Sequence, residues 1–246
     1  MVQAVRTLFV HIGTHKTGTS SIQAFLRDQA AALQRCGIYV PHTGTLSPRT
    51  GHHNIAWELR RDPRFDVTRG TLDGLLAEMQ RADARTSVIS SEDFEYLVQY
   101  PEALRRFEDA IELSGFVPTY IIFFRDPATY AKSLYEELHA KHVLTMSFPA
   151  FVATILVTGK FIMRGDWCFY FDQDRFSEQW RRHTRGDLRI FDFEAVSNGE
   201  GLIPTFLGAI GAGSLANEAG AALRYNVSPV GPHGPSWAGW ALRLRF

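Results

Sequence analysis

Cysteine is almost absent from this 246-residue sequence. Cys36 and Cys168 stand far apart, which excludes a disulfide framework and a cysteine-rich zinc site. The pair fits a reducing compartment, so a cytoplasmic location is expected. Net charge is missing as well: 26 basic residues balance 26 acidic ones. A protein that grips nucleic acid by its phosphates usually carries a basic excess, so nucleic acid is not an expected partner. No long apolar run is present. The longest, near 148–157, falls short of the ~20 residues that a membrane span requires, and residues 1–6 have no signal-peptide core behind them. Lysine is the last scarcity. Only Lys16, Lys132, Lys141 and Lys160 occur among the 26 basic residues, the others being arginine. A lysine inside a glycine loop therefore stands out.

What is present reads as an ordinary globular chain. Hydrophobic residues make up 45% and charged residues 21%, which excludes wholesale disorder, collagen and coiled coil. The length suits one domain over 1–246, with an irregular Gly/Ala/Pro-rich tail from about 212. The run RTLFVHI at 6–12 predicts a buried strand. A Gly/Thr loop follows, then a helix whose stripe is Ile22, Phe25, Leu26, Ala30 and Leu33, closing at Cys36-Gly37. Further strands are expected at 37–40, 86–90, 118–124 and 187–191. Helices are expected near 54–61, 71–84, 101–114, 147–158 and 173–184, and one more starts at Asp126-Pro127 with Asp as its cap. Alternating strands and helices predict an α/β fold, a P-loop-like three-layer arrangement with a mainly parallel sheet. Ligands of such sheets bind beyond the carboxyl ends of the strands, and every motif below falls at such an end.

The first motif is Gly13-Thr14-His15-Lys16-Thr17-Gly18-Thr19-Ser20-Ser21. Glycines let backbone N–H groups approach an anion, and the helix N-terminus favours phosphate. Lys16 adds a full charge, and Thr19, Ser20 and Ser21 add hydroxyl donors. Gly13 and Gly18 have the spacing of a Walker A loop, but Thr19 stands where that loop has its lysine. The second motif is Arg125, at the end of the clearest strand, with Ser133 eight residues on in the next helix. Alone, an Arg after a strand more often forms a surface ion pair, here with Asp126.

Together these motifs resemble the sulfotransferases that use 3′-phosphoadenosine 5′-phosphosulfate (PAPS), and the stretch FVHIGTHKTGTSSIQAF at 9–25 looks most like the bacterial members. The resemblance implies that His15, Lys16, Thr17, Gly18, Thr19, Ser20 and Ser21 hold the 5′-phosphosulfate, and that Arg125 and Ser133 hold the 3′-phosphate. Residues 170–180 and 187–193 look like the late helix and last strand of that family, and 224–228 (RYNVS) like a C-terminal stretch of bacterial members. It implies sulfuryl transfer from PAPS to a hydroxyl or amine, leaving adenosine 3′,5′-bisphosphate, with no metal required.

Such transfer needs a cation at the departing phosphate and a base at the acceptor. Lys16 suits the first. For the base, Glu92 follows the 86–90 strand on the required sheet edge; both Glu92 and Asp93 are also residues that helix starts favour. His52 and His53 come next, in a polar loop, then His42 and His15. His11 lies within a strand and reads as structural. A variant P-loop phosphotransferase and a non-catalytic nucleotide-binding protein are the alternatives. The acceptor is not legible: carbohydrate, lipid, peptide tyrosine and phenol all fit. Trp57, Tyr96, Tyr100 and Trp167 are candidate cleft or packing aromatics.

Overall fold

The computed structural model describes residues 5–46, 51–163 and 167–219. Five strands form a wholly parallel sheet: β1 (Arg6–Ile12), β2 (Ile38–Tyr39), β3 (Thr86–Ser91), β4 (Phe116–Phe124) and β7 (Asp187–Asp192), in the order β2-β3-β1-β4-β7. Between β4 and β7 in the chain lies an antiparallel hairpin of β5 (Lys160–Met163) and β6 (Trp167–Tyr170).

Strand alternation sorts side chains to the two faces. Leu8, Val10 and Ile12 of β1 join Ile89, Tyr120, Ile122 and Phe124 in one core cluster. Helices α3 (His53–Arg60), α4 (Leu72–Arg81), α5 (Pro101–Leu113) and α8 (Gln173–His183) cover that face. Phe9, Val88, Ile121 and Phe123 face the other way, against α1 (Thr19–Asp28), α2 (Ala30–Arg35), α10 (Leu202–Ala209) and α11 (Gly213–Ala219). These are the three layers expected. Each fully buried Leu, Ile or Phe contributes roughly 1.5–3 kcal/mol. His11 shares the second face and is fully buried. Its Nδ1 lies 2.8 Å from Ser90 Oγ, and burial lowers its pKa to about 3, so it stays neutral in a structural place.

A third cluster gathers Tyr130, Leu134 and Leu138 of α6 (Pro127–Ala140), Phe148 and Phe151 of α7 (Phe148–Thr158), and Phe161 and Phe169 of the hairpin. As expected, Asp126 caps α6, accepting from Thr129 N at 2.9 Å, with Pro127 in the first turn.

Several expectations need correction. The first helix is not continuous to Cys36: it breaks at Gln29 (φ −106°, ψ 14°), and α2 is a separate helix. The hairpin, a short helix at Phe193–Asn198 (α9) and α10 were not anticipated. Residues 213–219 are helical rather than irregular; the rest of the tail, including 224–228, lies outside the described residues. Among the described residues no helix is long and apolar enough to cross a membrane.

Candidate active site

The register sets the strand ends level. Ile12 pairs with Ser91 and Ile122, and Phe124 pairs with Asp192. Residues that follow these strands therefore emerge at one sheet edge.

The loop after β1 is fastened to its neighbours by its own polar groups. Gly13 N donates to Ser91 O at 3.2 Å. Thr14 Oγ1 donates to Phe123 O at 2.6 Å, and Thr17 Oγ1 turns back to Thr14 O at 2.6 Å. The Thr17 hydroxyl is thus engaged inside the loop. Lys16 and Gly18 both have left-handed backbones, with φ of 68° and 74°. For lysine that conformation costs about 1–2 kcal/mol, the kind of strain that collects at binding loops. A Cβ on Gly13 would come within 2.4 Å of Thr19 Oγ1, so this turn admits only glycine without displacement.

Gly18 caps α1 without a side-chain hydrogen bond, and no acid occupies the first turn. The positive end of the helix is not countered by its own side chains. Ser20 is exposed there, Ser21 is buried, and the buried Thr19 Oγ1 has no hydrogen-bond partner among the described residues. Glycines that leave backbone room, a helix start and an orphaned hydroxyl together fit an anion.

Arg125 follows β4 and reaches across to this loop. Its Nη1 donates to Lys16 O at 3.2 Å, joining positions 109 residues apart. The Nε lies 3.5 Å from Glu194 Oε1, and the guanidinium sits 5.7 Å from the Phe193 ring centroid. Gln173 Nε2 donates to Arg125 O at 2.5 Å, and Asp126 N donates to Glu194 Oε2 at 2.8 Å. The strand end is therefore held from both sides. Ser133 is half-buried on α6. Lys16 Nζ lies 3.0 Å from Glu137 Oε2 on the same helix.

The histidines at 52 and 53 have different surroundings. Both ring nitrogens of His52 face backbone: Nδ1 accepts from Ser90 N at 3.2 Å, and Nε2 donates to Pro41 O at 2.9 Å. Burial lowers its pKa to about 4, although the two backbone bonds oppose the shift. His53 instead meets acids. Its Nδ1 lies 2.8 Å from Asp93 Oδ2 and 2.9 Å from Ser91 Oγ, and its Nε2 lies 3.7 Å from Glu92 Oε2. Glu92 also accepts from Gln23 Nε2 at 2.8 Å. A Cβ on Gly51 would come within 2.4 Å of His53 Nε2, so a residue without one keeps that nitrogen clear.

Asp93 is buried, which pushes its carboxyl up. The hydrogen bond and field of His53 and the charge of Arg64 outweigh this, and Asp93 lies below its ordinary value. Ionised, Asp93 can only accept, so His53 Nδ1 is the donor. The cap of the following 3-10 turn (Glu92–Gln99) is neither acid: Ser91 Oγ accepts from Asp93 N at 3.0 Å.

His15 lies between these groups. Its Nε2 is 3.1 Å from Tyr96 Oη and 4.0 Å from Glu95 Oε2, and its ring contacts Phe169 edge-on at 5.0 Å. Desolvation lowers its pKa, while the fields of Glu92, Asp93 and Glu137 raise it. Glu95 is fully buried, and burial holds its carboxyl well above the ordinary value.

Trp57 and Tyr96 are buried packing residues beneath Arg64 and Arg60, whereas Trp167 is exposed. Gln23, Glu95, Glu137 and the Asp93–His53 partnership carry no motif in the sequence. The only signal for the last was a Ser-Glu-Asp run after a strand.

No protein-family model and no curated protein matches the chain. Among solved structures, it is similar to a sulfotransferase from Alicyclobacillus acidocaldarius at 20% identity, over 84% of this chain and 81% of that one, with a TM-score of 0.49. It is also similar to mouse sulfotransferase SULT7A1 complexed with PAP at 15% identity, over 96% of this chain and 63% of that one, with a TM-score of 0.40. Both are named sulfotransferases.

Proposed function

We propose that this chain is a PAPS-dependent sulfotransferase, moving a sulfuryl group from PAPS to a hydroxyl or amine of an acceptor. The observation that carries the reading is the 3.2 Å bond from Arg125 Nη1 to Lys16 O. It joins a strand–loop–helix anion cradle to a second anion-binding side chain at one sheet edge. A ligand with anionic groups at both its 5′ and 3′ positions suits that pairing better than a nucleoside triphosphate does.

In this reading residues 15–21 and the α1 N-terminus hold the 5′-phosphosulfate, and Arg125 with Ser133 holds the 3′-phosphate. Lys16 offsets the charge that grows on the departing phosphate. His53 takes the acceptor proton at Nε2, since Asp93 keeps the other nitrogen as a donor. Glu92, 3.7 Å from Nε2, then stabilises the imidazolium. His52, with both nitrogens bound to backbone, ties Pro41 to Ser90 of β3.

The test has two parts. Adenosine 3′,5′-bisphosphate should raise the melting temperature more than Mg·ATP does, and labelled sulfate should pass from PAPS to fractionated cell extract. Equal shifts, or preference for Mg·ATP, would favour a phosphotransferase. Tight bisphosphate binding with no transfer over a broad acceptor panel would favour a non-catalytic binder.

A further inference from the structure

Glu137 lies on α6, one turn beyond Ser133, and two of the four lysines in the chain converge on it. Lys16 Nζ is 3.0 Å from Oε2, and Lys141, one turn further along the helix, bonds Oε1. The side chains of Lys16 and Glu137 keep 32% and 33% exposure, so neither is locked in the core. Burial pushes the Glu137 carboxyl up, but the hydrogen bonds from Lys141 and Lys16 outweigh it and hold the group below its ordinary value. Glu137 is therefore a charged carboxylate at neutral pH. Its field also reaches His15.

This arrangement conflicts with the task of Lys16 at a donor phosphate. One ammonium cannot keep its closest contact with Glu137 while neutralising a departing phosphate elsewhere, and a bare carboxylate near the donor would repel it. Lys141 answers the second difficulty. It caps the helix that carries Glu137 and can stay paired when Lys16 moves.

We propose that Glu137 is the counter-ion that competes with the donor for Lys16, and that Lys141 keeps Glu137 neutralised once Lys16 has gone to the phosphate. The carboxylate thereby sets donor affinity, acting through Lys16 rather than by touching the reacting atoms. This inference rests on the sulfotransferase reading above.

Calorimetric titration with adenosine 3′,5′-bisphosphate tests it. Glu137→Gln should tighten binding roughly two- to fivefold, the range expected for releasing a part-exposed ion pair. In a Lys16→Ala background the same change should give no gain, because the competition no longer exists. Lys141→Ala should act in the opposite direction and weaken binding, since Glu137 then depends on Lys16 alone. Melting curves confirm that each variant is folded.

Unchanged or weaker binding by Glu137→Gln overturns the inference. So does a gain that persists in full without Lys16, which would be general relief of negative charge. Failure of the wild-type chain to bind the bisphosphate at all would instead overturn the sulfotransferase reading, and this inference with it.

Discussion

Asp93 and His53, 40 residues apart in the chain, are joined by a 2.8 Å contact from the histidine Nδ1 to the carboxylate Oδ2. The contact leaves the other ring nitrogen as the proton acceptor. His53→Ala should therefore lower kcat by about 10²–10⁴-fold, the usual worth of a positioned base, with bisphosphate affinity almost intact. Asp93→Asn should lower kcat by about tenfold or more, because an amide N–H favours the wrong tautomer. Glu92→Gln should cost less than His53→Ala. An active His53→Ala beside a dead but folded Glu92→Gln would transfer the base to Glu92.

His52 predicts a pH dependence of stability rather than of turnover. Its pKa is about 4 in the folded chain, against an ordinary value of 6.5. Between those values the unfolded chain binds the proton and the folded chain does not. The contribution to stability is thus complete above pH 6.5 and is lost as pH falls towards 4, on the order of 3 kcal/mol in all. His11, with a pKa of about 3, adds in the same sense. Urea unfolding across this window should show a shallower slope for His52→Gln than for wild type. Equal slopes would remove His52 from the account.

Lys16→Ala should reduce turnover more than it weakens bisphosphate binding, because its charge matters most where charge develops. A kcat within about twofold of wild type, ~0.4 kcal/mol, would refute that role.

Arg125→Ala and Ser133→Ala should both act on the 3′-phosphate, the arginine more strongly. A charged hydrogen bond is worth ~1.5–3 kcal/mol and a neutral one less. Adenosine 5′-phosphosulfate, which lacks that phosphate, should be nearly indifferent to Arg125→Ala. Equal weakening of both donors would make Arg125 a structural residue that merely braces Lys16 O and Glu194.

The parts of this molecule legible in the sequence were those with local signals. Strand β4 ends in the apolar run Tyr120–Phe124, Asp126-Pro127 is a helix start, and the 13–21 segment carries its glycines and lysine together. Arg125 and Ser133 stood out only through the resemblance to the sulfotransferase pattern, and the contact of Arg125 with Lys16 O had no sign in the sequence. Long-range partnerships left no such mark. His53 and Asp93 are each unremarkable polar residues in sequence, and only the seating of the start of α3 on the end of β3 brings them together. The break at Gln29 interrupts a stripe that reads as unbroken, and the two short strands of the hairpin are too brief for alternation to reveal them.

Strand β1 precedes the other strands of its sheet in the chain, yet it lies between β3 and β4 in the middle of that sheet. Its partners begin only at Thr86 and Phe116, so both of its backbone edges wait while long stretches of chain are still being made. Closing such separations is slow compared with helix formation, and an open edge is a template for strands of other chains. The strand that leads into the 13–21 loop is thus the one whose edges stay open longest. Refolding from denaturant should accordingly lose yield as protein concentration rises.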